Sequence, residues 1–295
     1  MTVGQLPFFE PWNLQGRTID FGRPVLMAIC NVTPDSFYDG GAHFDVDRAL
    51  AFCHAAVGAG AVIVDVGGES TRPGASPVDP EEEIRRVLPV VLELAGEGLI
   101  VSIDTTRAAV AAAALDAGAC IVNDISGGRM DPEILDVAAD HGAAMVLQHM
   151  RGTPAGMQRQ INFTDVVGEV ARELHERVCA AVEHGVRADR ILVDPGIGFG
   201  KTPLQCVQLM AAAGHFSRVC DAPVLVGPSN KSFIGHLTGA DIGERLPGTI
   251  ASCLLSRQAG AHVFRVHDVA AVSQAFAIQG HFEASSNLSN VAPSP

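Results

Sequence analysis

Short apolar runs recur along the chain, each separated from the next by a stretch with helical spacing. They are 24–30 (PVLMAIC), 61–66 (AVIVDV), 99–103 (LIVSI), 119–122 (ACIV), 143–148 (AAMVLQ), 190–193 (RILV), 222–227 (APVLVG) and 261–266 (AHVFRV). Continuous apolar strands alternating with helices predict a parallel sheet covered on both faces. Eight is the closing number of the common α/β barrel, which takes about 250 residues. The fold class is therefore α/β, a (β/α)8 TIM barrel in one domain. A doubly wound open sheet is the rival, but no G-x-G-x-x-G follows the first run.

The helix boundaries are marked by local chemistry. Asp79-Pro80-Glu81 and Asp131-Pro132-Glu133 each offer an N-cap acid, a proline at the first helical position and an acid in the first turn. Gly60, Gly118, Gly142, Gly185 and Gly260 each sit where a helix gives way to a strand. Residues 14–21 (LQGRTIDF) alternate enough for a short hairpin that could plug the barrel's N-terminal end. The expected division is an N-terminal segment and hairpin over 1–22, the barrel over 23–284, and a polar, disordered tail over 285–295.

Polar residues collect where the strands end: Asn31, Asp65, Asp104, Asn123 with Asp124, His149, Asp194, Ser229 to Lys231, and Arg265 with His267. In α/β barrels that end of the strands forms the active-site face. One such residue is ordinarily a cap or a strand terminus; a ring of carboxylates, amides and cations at every strand reads as a site. Side-chain alternation puts Arg265 and His267 on one face, and Ser102 and Asp104 on one face. An inward Arg and His need an anionic partner, either a bound anion or a salt bridge to Asp65 or Asp104.

Composition narrows the classes. A net charge of −13 speaks against nucleic acid or an anionic membrane as partner, so an anionic substrate must meet a local cluster of cations. Seven scattered cysteines with no C-x-x-C predict a reducing compartment and no structural zinc. No charged lead with an apolar segment opens the chain, and no apolar run reaches the roughly 18 residues that a membrane span needs. The expectation is a cytosolic protein.

Asp104, Asn123 and Asp194 suit a flat heterocycle rich in N–H donors, since a carboxylate accepts two parallel N–H bonds from an amino-imine edge. Pterins and guanines present that edge. A metal site built from the same three residues is the alternative, though hard cations generally take more oxygen ligands. The segment 194–202 (DPGIGFGKT) ends like a phosphate-binding loop but is one residue short between Gly196 and Gly200, and it reads as a flexible glycine-rich loop. Phe199 within it could lie over an aromatic substrate or anchor the loop in the core.

Taken together, NVTPDSFYDGG (31–41), VDVGGESTRPGA (64–75), VSIDT (101–105), VNDISGG (122–128), QHMRGTP (148–154), VDPGIGFGKT (193–202), VLVGPSNKSFIG (224–235) and FRVHDV (264–269) resemble the dihydropteroate synthases, in that family's order and over about residues 14–280. The resemblance implies a magnesium-dependent transferase of folate biosynthesis, a homodimer and a sulfonamide target. It would join 4-aminobenzoate to 6-hydroxymethyl-7,8-dihydropterin diphosphate and release pyrophosphate. It further implies that Asp104, Asn123, Asp194 and Lys231 hold the pterin. Asn31 would meet the metal and the diphosphate, together with Arg72, Arg265 and His267. Thr71, Pro73, Phe199 and Ser232 would form the aminobenzoate pocket, and the loops carrying Asp35 and Thr71-Arg72-Pro73 would close the site. Arg265, His267, Lys231 and Asp35 are the catalytic candidates. Two positions depart from the family: Asn230 stands where arginine is usual, and Gln148 where methionine is usual. A repurposed pterin-binding homologue and a methyltetrahydrofolate-dependent methyltransferase barrel therefore remain alternatives. Strand parity carried past the seventh strand would turn Lys231 into the pocket and Asn230 toward the rim.

Overall fold

All eight apolar runs form strands. The computed structural model describes residues 8–33, 46–69, 78–154, 156–159 and 161–289. A two-stranded hairpin, β1 (Trp12–Leu14) and β2 (Arg17–Ile19), precedes the parallel strands β3 (Val25–Asn31), β4 (Ile63–Gly67), β5 (Ile100–Asp104), β6 (Ile121–Asp124), β7 (Ala144–Gln148), β8 (Ile191–Asp194), β9 (Leu225–Val226) and β10 (Val263–Val266). They pair in the order β8-β7-β6-β5-β4-β3-β10-β9. A parallel bridge between Val193 and Val224 joins the two ends of that order and brings the sheet round on itself.

The seventh strand is shorter than its sequence run. Pro223 carries no N–H, and the Val224 N–H is taken by the ring nitrogen Nδ1 of His262 at 3.1 Å rather than by a strand partner.

Alternation sorts each strand into two faces. Outward residues such as Val64, Val66, Val101, Ile103, Val122, Met145, Leu147, Val193 and Phe264 are buried against the helices. Inward residues change character along the barrel axis. At the N-terminal end they are apolar (Val25, Met27, Ile63, Ile100, Ile121, Ala144, Val146, Leu192, Leu225 and Val263) and form one cluster with Trp12, Leu14, Ile19 and Phe21 of the hairpin segment. The hairpin is thus the floor of the barrel, as its alternation predicts. Its two-residue turn, Gln15 and Gly16, has positive φ at both positions (51° and 71°), the geometry that matches the twist of paired strands. Gln15 Nε2 and Arg17 Nε bond the carbonyls of Gly118 and Gly98 at the barrel's lower rim, at 3.0 and 2.7 Å.

The five helix-ending glycines all have positive φ, from 61° to 108°. Asp79 caps helix Pro80–Gly96, accepting the Glu81 N–H at 2.9 Å. Asp131 does not cap the helix that follows it. Its carboxylate instead accepts the N–H of Ala108 at 2.7 Å, at the start of the neighbouring helix Ala108–Asp116, where Arg107 offers no side-chain cap. The last helix, Val269–Ser289, runs through the first residues of the expected disordered tail. No helix among the described residues is long and apolar enough to cross a membrane.

Candidate active site

The upper inward positions open into a cavity of about 480 Å3 at the C-terminal end of the barrel, the size of a small-molecule site. Asn31, Asp104, Asn123, Gln148, Asp194, Lys231, Ser232, Arg265 and His267 line it, with Phe199, Ile125 and Ile197 as apolar wall. The register explains the convergence: Asp104 pairs with Asn123, and Gln148 with Asp194, so that their side chains stand at one height on the inner face.

Asp194 is 4% exposed and accepts the Gly196 N–H at 2.7 Å. Burial pushes its carboxyl up to about 6, opposed by the Gly196 N–H and by Lys231 and Arg265. Asn123 donates from Nδ2 to Asp65 at 3.0 Å. A carboxylate only accepts, so the amide nitrogen lies toward Asp65, and the oxygen is left for the cavity. Lys231 donates to the Ile197 carbonyl at 2.9 Å and sits 4.2 Å from the centre of the Phe199 ring. Burial lowers its ammonium to about 8, with Asp194 acting against that loss of charge. Phe199 is buried in a small cluster with Ile125, Met150 and Met157, and it also walls the cavity.

Arg265 has protein partners. Its Nε donates to Asp65 and its Nη2 to Asp104, each at 2.5 Å. Burial works against the charge of Arg265, but the two carboxylates hold it above the usual arginine value. Burial raises Asp104, with Arg265 pulling it back. The salt-bridge alternative is therefore present, while Arg265 still borders the cavity. His267 pairs through Nδ1 with the Ser229 hydroxyl at 2.9 Å, and that hydroxyl also accepts the His267 backbone N–H at 3.2 Å. Which of the two donates in the Ser229–Nδ1 bond follows the tautomer of the ring.

Three of the polar strand ends lie elsewhere. Asp65 is inward but one step lower, fully buried as the brace for Arg265 and Asn123. Asp124 points away and accepts the N–H groups of Ser126 and Gly128 at 2.7 and 2.6 Å, tying the turn after its strand. His149 lies behind the cavity wall, its Nε2 bonded to Glu173 at 3.0 Å and its Nδ1 to Lys201 at 3.0 Å.

Lys201 is the residue that sequence reasoning passed over. It is 4% exposed and also donates to the Phe199 carbonyl at 2.9 Å. Burial lowers its ammonium to about 7. The 194–202 loop is thus a pinned segment rather than a flexible one. A Cβ at Gly196 (φ 73°) would stand 1.9 Å from the His149 carbonyl oxygen, so that position admits only glycine. Met157 and Gln158 also border the cavity, and no periodicity in the sequence marks them. Asp35, Thr71, Arg72 and Pro73 lie outside the described residues.

Residue 230 does not continue a strand. Asn230 is in a turn at φ 55°, its N–H on Thr249 Oγ1 and its carbonyl receiving Arg245 Nη1, both at 3.1 Å. Strand parity stops where the backbone turns, and the left-handed conformation accounts for an asparagine here. Asn230→Arg is expected to destabilise the protein by about 1 kcal/mol, because a longer side chain is less tolerant of positive φ. Asn230→Gly should cost nothing. Thermal denaturation of the two variants checks this; equal melting points would remove the backbone explanation.

The chain matches the family model described as pterin binding enzyme over residues 27–267. It is 45% identical over 271 residues to the dihydropteroate synthase of Synechocystis sp., covering 90% of this chain and 93% of that one. Among solved structures it is similar to Xanthomonas albilineans dihydropteroate synthase with 4-aminobenzoic acid (43% identity, TM-score 0.85, 95% of this chain and 99% of that one). It is also similar to a sulfonamide complex of the Yersinia pestis enzyme (38% identity, TM-score 0.87, 93% of this chain and 100% of that one).

Proposed function

The chain belongs to the pterin-binding enzyme family, among the dihydropteroate synthases, and we propose that it condenses 6-hydroxymethyl-7,8-dihydropterin diphosphate with 4-aminobenzoate to give 7,8-dihydropteroate and pyrophosphate. The observation that carries this reading is a cavity that brings the acceptors of Asp194 and Asn123 together with Lys231, the Phe199 wall, Arg265 and His267.

The chemistry asks for positioning and charge, and no protein nucleophile. The bond from the pterin methylene to the diphosphate oxygen breaks, and its electron pair goes to the phosphate. The aryl amine forms the new C–N bond and then loses a proton. Asp194 and Asn123 orient the ring, and an amine held in line with the methylene needs placement more than activation. Arg265 has five N–H donors, of which two are spent on Asp65 and Asp104. The others can meet developing charge on the diphosphate, and His267 borders the same cavity. By resemblance Arg72 is assigned to the diphosphate with them, Thr71, Pro73 and Ser232 to the aminobenzoate, and Asp35 to catalysis.

Two carboxylates already share the Arg265 guanidinium, so a dianionic group there calls for further cations. Among the described residues no cluster of three His, Cys, Asp or Glu could hold a metal alone. Asn31 fits the other mode, in which Mg2+ takes one or two protein oxygens and fills its shell with water and phosphate. Such an ion would neutralise charge on the leaving diphosphate. The scattered, mostly buried free cysteines support a cytosolic setting. Exposed Leu204, Val207, Leu237 and Leu255 on adjacent helices support a homodimer.

Coupling of the pterin diphosphate to labelled 4-aminobenzoate tests the reaction. Labelled dihydropteroate is the expected product; a folded protein that binds pterin but yields none is a repurposed homologue. A second expectation concerns pH. Asp194 must be ionised to accept two N–H bonds, and its carboxyl lies near 6, so pterin affinity should hold above that pH and fall as the pH drops through it. Calorimetry with a diphosphate-free pterin between pH 5 and 8 reads this directly, and a flat profile would exclude Asp194 as the anchor.

A further inference from the structure

Behind the Phe199 wall, Lys201, His149 and Glu173 form a chain of polar side chains that the reaction does not touch. His149 is fully buried, and burial lowers its imidazole to about 3, so the ring is neutral. Burial alone would raise Glu173, but His149 and Arg151 hold its carboxyl well below the usual carboxylate range. An ionised carboxylate only accepts, so the ring proton lies on Nε2, which donates to Glu173 at 3.0 Å. Nδ1 is thereby left as the acceptor for Lys201 Nζ, also at 3.0 Å. Arg151 closes the outer end of the chain, donating to Glu173 and Glu169.

The two halves of the 194–202 loop have separate ties to this chain. The first half hangs on the backbone of His149, whose N–H donates to the Asp194 carbonyl at 2.8 Å and whose carbonyl lies against Gly196. Phe199 closes a turn onto the Gly196 carbonyl through its N–H at 3.0 Å, and its own carbonyl accepts from Lys201 at 2.9 Å. The residue after Lys201, Thr202, caps helix Pro203–Ala211. Lys201 is thus the side chain that joins Phe199 to the barrel wall. Among the described residues, Phe199 is the one phenyl ring that lines the cavity.

We infer that Lys201 is a positioning residue of the proposed reaction: seated on His149, it fixes Phe199 as the wall against which the aryl amine lies during its attack. The inference rests on the functional reading given above. The pterin has polar edges for Asp194 and Asn123 to grip, whereas the benzene ring of 4-aminobenzoate has apolar faces and is placed by the surface it packs on. An amine held out of line by about 1 Å can lose on the order of a hundred-fold in rate.

Lys201→Met keeps an unbranched side chain of similar length and removes every N–H, leaving Phe199 O and His149 Nδ1 without their donor. The loss of a charge-assisted bond corresponds to about a ten-fold change. The kcat/KM for 4-aminobenzoate is expected to fall by about that factor or more, while the calorimetric affinity for a diphosphate-free pterin stays at the native value, because the ties of Asp194 do not involve Lys201. Equal losses for both ligands would mark Lys201 as a brace of the whole fold, and no loss for either would detach it from the site; each result overturns the inference. A second measurement needs no variant. In 15N NMR of the native chain labelled at histidine, the His149 proton is expected on Nε2 with Nδ1 bare, and a proton on Nδ1 would leave Lys201 no acceptor there and overturn the inference as well. A native chain that couples no aminobenzoate to the pterin diphosphate overturns the functional reading and this inference with it, whereas native turnover that Lys201→Met leaves unchanged overturns only the inference.

Discussion

Arg265→Ala is expected to lower stability by about 3–5 kcal/mol, the usual cost of leaving buried charge without its partner. Asp65 is fully buried and Asp104 is 8% exposed, and both direct an oxygen at the same guanidinium at 2.5 Å. Removing it leaves two carboxylates facing each other across the upper barrel, with Asn123 still bonded to one of them. The damage should reach the pterin subsite, because Asp104 and Asn123 both depend on that arrangement. Arg265→Ala should therefore weaken binding of the diphosphate substrate and of the diphosphate-free pterin together. His267 bonds the Ser229 hydroxyl and borders the cavity, and His267→Ala is expected to weaken the diphosphate substrate alone. Chemical denaturation and calorimetry with both ligands distinguish the two. A melting temperature unchanged in Arg265→Ala would show that the carboxylates do not rely on it.

Asp194→Asn should lower pterin affinity by a factor between about 5 and 150, the equivalent of 1–3 kcal/mol for a buried mismatch of donor against donor. The amide can keep one oxygen on the Gly196 N–H, which Asp194 now holds at 2.7 Å. Its nitrogen is then left facing the amino-imine edge of the ring. Stability should change little, since burial already opposes the charge of this carboxyl and the variant removes that charge. Affinity and folding are thus separable at this position, which is not so at Arg265. Titration calorimetry on the folded variant is the measurement, and native-like affinity would place the pterin elsewhere in the cavity.

Much of this site can be read from the chain alone, for a local reason. Alternation along a strand is a property of the extended backbone, so Asp104, Asn123, Asp194 and Arg265 had to face inward once the strands were recognised. The apolar residues below them, from Val25 to Val263, had to fill the barrel. His149 and Asp124 sit one residue past inward positions, so the same alternation turns them outward, to Glu173 and to the 126–128 turn. Where the chain leaves the strand, that rule lapses. Asn230 takes a left-handed turn that parity does not anticipate.

Other outcomes depend on neighbours remote in sequence. Asp131 has every local mark of an N-cap, yet its carboxylate lies nearer the orphan N–H of Ala108, 23 residues away. Lys201 resembles a phosphate-binding lysine in sequence, but the folded chain buries it against His149 and the Phe199 carbonyl, where it holds the glycine loop in place. Backbone periodicity, capping and turn chemistry act over a few residues, and they determined the strands, their faces and the inward carboxylates and amides. The pairing of Arg265 with Asp65 and Asp104, across 200 and 161 residues, was decided only when the barrel closed, because charges partner whatever the fold brings within hydrogen-bond reach.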